Sequence, residues 1–313
     1  MYHRYHLVIS IAVFFTSGLW GLYWIPQRAL ENGGLTGAWG TAAQYAIPLI
    51  VLTPYIIWKF IKGKRTGLHL PLIGLFFGGG IACYANSFLL TDIMRVFILF
   101  YLMPIWTTIF EYIFFKQIPK WQRGVSLFLA LLGLWIVFGK NGNIPLPENV
   151  GDWLAILGGL LCAAGAIKLE EAKSEDITSL LYSFFFYGLL VTLFTSLIFS
   201  DAFGSFPDLF SWIEMLPLLL VLSILFFIPS NIVILWSPSR IGAGLFSILV
   251  LSEIIFGTVS AALLSNEEFG WREGIGGFLM FIAGFGEIFL SKKNSGNKSA
   301  CLLYTSPSPR DDT

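Results

Sequence analysis

Charge is scarce in this chain. Only 12% of its 313 residues are Asp, Glu, Lys or Arg, where a soluble domain carries about 25%. The few charges cancel, 19 basic against 19 acidic, so nothing points to nucleic acid as a partner. Three cysteines (Cys83, Cys162, Cys301) and three histidines (His3, His6, His69) are too few and too scattered for a disulfide framework or a metal centre. Cys83 and Cys162 fall inside apolar runs, where cysteine packs as a small hydrophobe. No HExxH, CxxC or GxxxxGK[ST] occurs, so metal, redox and nucleotide chemistry have no signal and no cofactor is expected. Long polar stretches are missing too. The longest connections between apolar runs, Asn141–Gly151 and Ser200–Ile213, are too short to hold an extramembrane domain.

Apolar runs fill the space that charge leaves. The chain is 56% hydrophobic with a mean hydropathy of +0.76, which reads as an integral membrane protein. Hydropathy predicts ten helices, at 6–26, 37–60, 70–90, 93–115, 121–139, 152–169, 177–199, 214–236, 241–264 and 271–291. A bilayer-spanning helix needs roughly 20 apolar residues, and these segments reach that length or come close to it. The first is not read as a signal peptide, because it lacks a small-residue cleavage site and carries Trp20 and Trp24 at its far end.

The stretch from Met94 to Gly139 comes back. Sliding the chain by 150 positions puts Trp121 on Trp271, Gly124 on Gly274 and Gln117 on Glu267. In each copy a long apolar helix meets a short polar hinge, then W-x-x-G, then a glycine-rich helix. The expected organisation is one five-helix half over 6–140 and a second over 151–291, with the Pro-rich connection between them as boundary.

Lys and Arg set the orientation. With a cytoplasmic N-terminus, the inside set is Arg4, Lys59, Lys62, Lys64, Arg65, Lys116, Lys120, Arg123, Lys168, Lys173, Arg240, Lys292, Lys293 and Lys298. The outside set is Arg28, Arg95, Lys140 and Arg272, a bias of 14 to 4. Both termini are expected in the cytoplasm. Five helices per half is odd, so the second half inserts upside down relative to the first. Inverted repeats around a midplane site are a secondary-transporter architecture.

These features resemble the EamA-type fold of the drug/metabolite transporter superfamily. Pro104 fits the family's proline in the fourth helix, and Trp20-Gly21 its first-helix pair. Glu253 matches the glutamate of a Leu-Glu-Pro pattern, although Ile254 stands where the proline would be. The family's Gly-Glu at the end of the fourth helix is Lys116-Gln117 here and Asn266-Glu267 in the second half. The resemblance implies an all-α membrane protein with ten transmembrane helices as two inverted five-helix repeats. It implies a secondary active exporter of a small organic metabolite or drug-like compound. Protons are the expected coupling ion, the bacterial inner membrane the expected location, and a monomer or homodimer the expected state. The alternatives are a flippase for a lipid or polyprenyl-linked sugar and an intramembrane enzyme. The latter would want clustered Asp or Ser-His groups at one membrane face, and the sequence offers no such cluster.

Glu253 is the leading candidate for chemistry, because it falls near the middle of its helix. Charge there costs roughly 2.5–3.5 kcal/mol on insertion scales for Asp, Lys and Arg. Glu111 shares a face with Pro104 and Thr108 by helical spacing; it either lines a cavity or pairs with Lys116 or Lys120. Arg95 either catches anions at the outer mouth or pairs with Asp92. Trp20, Tyr84, Asn86, Tyr101, Trp106 and Asn231 are candidate wall residues of a central cavity, and each alone also reads as interface belt or helix glue. Glu287 reads as a snorkelling or ion-paired residue near its helix end.

The extreme C-terminus stands apart. Cys301 to Asp311, CLLYTSPSPRD, resembles a translated transposon adapter from sequencing libraries. Residues 301–313 are therefore set aside as non-native, with 292–300 expected as a cytoplasmic tail.

Overall fold

The computed structural model describes residues 2–62, 67, 69–91, 93–116, 118–139, 146–172, 175–199, 206–264 and 270–302. Among these residues the protein is entirely helical. Among the described residues, nine helical spans are long and apolar enough to cross a membrane: α1 Tyr5–Asn32, α2 Ala38–Ile61, α3 Leu70–Ser87, α4 Arg95–Phe115, α5 Trp121–Phe138, α6 Val150–Glu171, α7 Ile177–Ile198, α8 Leu209–Ile241 and α9 Ala243–Leu264. A further helix, α10 (Trp271–Leu302), continues past its expected end at 291. Residues 303–313, most of the adapter-like segment, lie outside the described residues.

The exterior is apolar. Leu197 (81% exposed), Leu263 (75%) and many other large hydrophobics face outward. An apolar surface of this extent needs lipid, not water, around it. Trp121 and Trp271 open α5 and α10 in exposed positions, as indoles do at a membrane–water boundary. The protein is thus an integral multi-pass membrane protein.

α6 is the central helix, packed on α3, α4 and the start of α9; α7 packs on α2 and α3, α1 on α9, and α10 along α5. Lipid-embedded helices gain little from hydrophobic burial against one another, so close backbone approach matters. Gly80 and Gly158 provide it where α3 crosses α6. A Cβ on Gly158 would lie 2.8 Å from the Gly80 carbonyl oxygen, and one on Gly80 would lie 2.9 Å from that of Gly158. Cys83 and Cys162 are buried free thiols in this layer, as expected of packing residues.

Several spans are broken rather than straight. α1 is interrupted by a turn at 21–23, α4 at Tyr101–Leu102 and α9 at Val250–Leu251. α3 contains a π turn at Gly74–Gly78, and α8 one at Ser223–Phe227. In α8, Pro229 has no N–H to offer the Leu225 carbonyl, and the wider turn before it absorbs the conflict. Pro104, midway along the expected 93–115 helix, does not lie in a helix interior. The break puts it in the first turn of Met103–Phe115, where a missing N–H costs nothing. α9 breaks at the matching place without a proline. Leu251, Glu253 and Ile254 each bond the carbonyl three residues back, and Ser252 Oγ donates to the Phe14 carbonyl of α1 at 2.7 Å.

At one end of the bundle Lys59 of α2 is buried and reaches the start of α7. Its Nζ donates to Asp176 Oδ2 at 2.7 Å and to Ser179 Oγ at 2.6 Å. Burial pushes the Asp176 carboxyl up, but bonds from Lys59, Thr178 and the Ser179 N–H outweigh it and hold the group below the ordinary 3.8. A carboxylate depressed on folding stabilises above its unfolded pKa and loses that contribution as pH falls through the folded one. Asp176→Asn keeps the helix cap and removes the countercharge of Lys59. It should lower the melting temperature in detergent at pH 7, and the gap to wild type should narrow as pH falls below 4. A gap constant with pH would contradict this.

Candidate functional site

The broken helices converge on Glu253. The α9 break places this residue in the first turn of Ser252–Leu264, midway along the α9 span. Its side chain is half-buried, between buried Ser252 and Ile254. Tyr101 Oη of α4 donates to Glu253 Oε2 at 2.5 Å, and Tyr84 Oη of α3 donates to Oε1 at 3.2 Å. Tyr101 is itself the residue at which α4 breaks. The local logic is direct: a carboxylate in lipid needs donors, and the two phenols supply them from two other helices.

Backbone contact seats this turn of α9 against α1. At Gly21, in the α1 turn, a Cβ would run into the Glu253 carbonyl oxygen and lie 2.5 Å from the Gly257 nitrogen. This close approach accounts for the glycine of the Trp20-Gly21 pair. Trp24 Nε1, just beyond the turn, donates to Ser260 Oγ at 3.0 Å. The turns of α1 and α9 therefore rest on one another.

Aromatic rings surround these elements. Tyr84 stacks on Phe100 at 4.0 Å and meets Phe88 edge-on, while Phe97 lies between Tyr101 and Phe138. Trp20 packs on Tyr23, Phe226 and Phe227, so it joins α1 to the π turn of α8. Tyr23 Oη and Gln44 Nε2 both donate to Gln27 Oε1.

The structure brings Glu253, Tyr84 and Tyr101 into direct contact and sets Trp20 beside the glycine that seats Glu253. It engages the other candidates elsewhere. Trp106 is half-buried one turn into the second piece of α4. Asn86 is fully buried and donates to Thr195 Oγ1 of α7 at 2.6 Å. Asn231 donates back to the Phe227 carbonyl within α8. Arg95 does not wait at an open mouth: its guanidinium binds Asp152 of α6 and the Leu146 carbonyl, with Glu148 alongside. Asp152 is 0% exposed and also accepts from Thr91 Oγ1 and the Glu148 N–H. Glu111 accepts the Gly244 N–H at 2.7 Å, and Glu170 of α6 accepts the Ala243 N–H at 2.7 Å. The two carboxylates cap the first turn of α9, where unpaired N–H groups favour negative charge. Asp92, Gln117, Lys140, Glu267 and the Glu287 side chain lie outside the described residues.

Asp152, Glu170 and the Lys59–Asp176 pair were absent from the sequence candidates. Asp152 carries one legible signal: it stands in the first turn of α6, three residues after the capping Asn149. Among the described residues no group of His, Cys, Asp and Glu could hold a metal ion.

The site is thus an ionisable residue held by two phenols at the meeting of three broken membrane helices. Residues 6–139 match the EamA-like transporter family of the drug/metabolite superfamily. A solved structure described only as "Crystal structure of protein" superposes with a TM-score of 0.68 at 12% identity, covering 93% of this chain and 98% of its own. It shares the fold and says nothing of cargo. No curated protein matches the chain.

Proposed function

We propose that the protein is a secondary active transporter that exports a small organic compound by alternating access, with Glu253 as its proton-carrying group. The observation that carries this reading is the Glu253 carboxylate, mid-span, gripped by Tyr84 and Tyr101 where α1, α4 and α9 all break. Broken helices at a midplane polar site are how membrane carriers free backbone and side-chain groups for cargo and ions. Counterflow tests the transport reading. Proteoliposomes loaded with a metabolite extract should accumulate labelled members of that pool against the loaded gradient. Lipid scrambling without counterflow would favour the flippase, and chemical conversion of a pool member an enzyme.

The reading includes ten spans in two inverted halves, 6–140 and 151–291, with both termini in the bacterial cytoplasm. Internal spacing supports it. The two π turns begin 149 positions apart, at Gly74 and Ser223, and the breaks at Tyr101 and Val250 share that offset. α5 and α10, the last helix of each half, pack on each other, with Gly133 against Gly276. Reporter fusions at Lys64 and Lys120 should read cytoplasmic and at Asn143 and Phe206 external. An external reading at Lys64 would overturn the orientation and the inversion with it.

A further inference from the structure

We infer that Glu111 of α4 and Glu170 of α6 form a latch on the start of α9, and that this latch controls access to Glu253 from that end of the bundle; the inference rests on the transport reading above and names what gates it. The first piece of α9, Ala243–Leu249, lies between two joints. At one, Gly242 turns the chain with a φ of +86°, a backbone shape that suits glycine. At the other, the helix breaks at Val250–Leu251. All seven residues of the piece are buried, and Phe246 packs on Phe77 of α3 at 6.1 Å. Glu253 lies just past the second joint, so packed protein separates it from the end where α9 begins.

Two carboxylates from two other helices hold this segment. The Gly244 N–H donates to Glu111 Oε1 and the Ala243 N–H to Glu170 Oε2, both at 2.7 Å. The Arg123 guanidinium of α5 lies against the same glycine: a Cβ on Gly244 would strike its Nη1 and lie 2.5 Å from Glu111 Oε1. α6 carries a second clamp at its other end. Glu170 stands in its last turn and Asp152 in its first, about 27 Å apart along the axis. Asp152 holds Arg95 at the start of α4, and Arg95 precedes Gly244 by the same 149 positions that separate the two π turns. The clamps differ in kind. Asp152 takes bonds from two nitrogens of Arg95, from Thr91 Oγ1 and from the Glu148 N–H, an ion pair of the strong forked form. At α9 each carboxylate takes one bond from an uncharged backbone N–H. Glu111 and Glu170 are half-buried near span ends, where water replaces such a bond once it opens and leaves a small net cost. The α9 latch is therefore the one that yields first.

A thiol reporter in the sealed piece tests this on the full-length chain in vesicles. Ser247 is 0% exposed and lies between the latch and Glu253. Ser247→Cys is treated with a membrane-impermeant maleimide from the side where α9 begins, and labelling is read at that residue by peptide mass. With the latch intact it should label slowly. Glu111→Ala and Glu170→Ala each leave a buried N–H unpaired in the closed form alone, so each should raise the rate about tenfold. Glu111→Gln and Glu170→Gln keep an acceptor and should raise it less; they carry the comparison if the alanine variants do not fold. Asp152→Asn weakens the far clamp and should not raise it. Rapid labelling with the latch intact, a rate unchanged in every latch variant, or an equal rise in Asp152→Asn overturns the latch. The readout is independent of flux. Labelling that ignores the latch beside intact counterflow would defeat this inference alone, whereas latch-controlled labelling without counterflow would defeat the transport reading alone.

Discussion

Glu253→Gln should abolish pH-driven flux in proteoliposomes while passive exchange of cargo survives. Glutamine keeps the shape of the side chain and can still accept from one tyrosine hydroxyl, but it cannot take up or release a proton. Loss of an essential proton-transfer group costs about a hundredfold or more in rate, enough to bring driven flux to background. The fold should persist, because an amide is cheaper to insert than a carboxylate. Glu253→Ala separates coupling from architecture. It strands the hydroxyls of Tyr84 and Tyr101, and each unpaired buried donor costs about 1–3 kcal/mol. Alanine should therefore lower thermal stability where glutamine does not. Driven flux unchanged in Glu253→Gln would remove the coupling role.

Gly21→Val should be the most damaging single change outside the carboxylate itself. A Cβ at this position collides with the Glu253 carbonyl oxygen and crowds the Gly257 nitrogen, both of them backbone atoms that cannot rotate aside. Accommodation requires α1 and α9 to separate. Overpacking a tight contact costs about 1–3 kcal/mol or more, and here it also shifts Glu253 away from its tyrosines. Expression of folded protein should fall sharply, and the surviving fraction should lose driven flux. The control is Gly124→Val at the start of α5, where nothing lies within 4 Å of a Cβ; it should fold normally. Equal stability of the two variants would contradict the α1–α9 contact.

Much of this was legible because the bilayer fixes span length and makes charge expensive. Span lengths follow from hydropathy, and a glutamate midway along α9 declares itself. The lost proline at Ile254 did not remove the helix break, because tertiary contacts supply it: Ser252 holds the Phe14 carbonyl, and Gly21 lets α1 rest on the turn. Such contacts lie some 230 residues apart in sequence and leave no local pattern. Arg95 shows the same limit. The spacing rule offered Asp92, three residues away and outside the described residues; the partner Asp152 belongs to another helix. Glu111 shares a face with Pro104 and Thr108 as expected, but its oxygen meets the first turn of α9. Of the aromatic candidates, Tyr84 and Tyr101 meet Glu253 because their helices cross at α6, a fact of packing that periodicity cannot reveal.

The central claim is that the Glu253 carboxyl gains and loses a proton in the membrane. Infrared difference spectroscopy of the reconstituted protein, stepped between acidic and neutral pH, reads this without knowledge of the cargo. Wild type should show a carboxylic-acid carbonyl band that disappears on deprotonation, shifted by the hydrogen bonds from Tyr84 and Tyr101. That band should be absent from Glu253→Gln and displaced in Tyr101→Phe. An identical difference spectrum for wild type and Glu253→Gln would contradict the account.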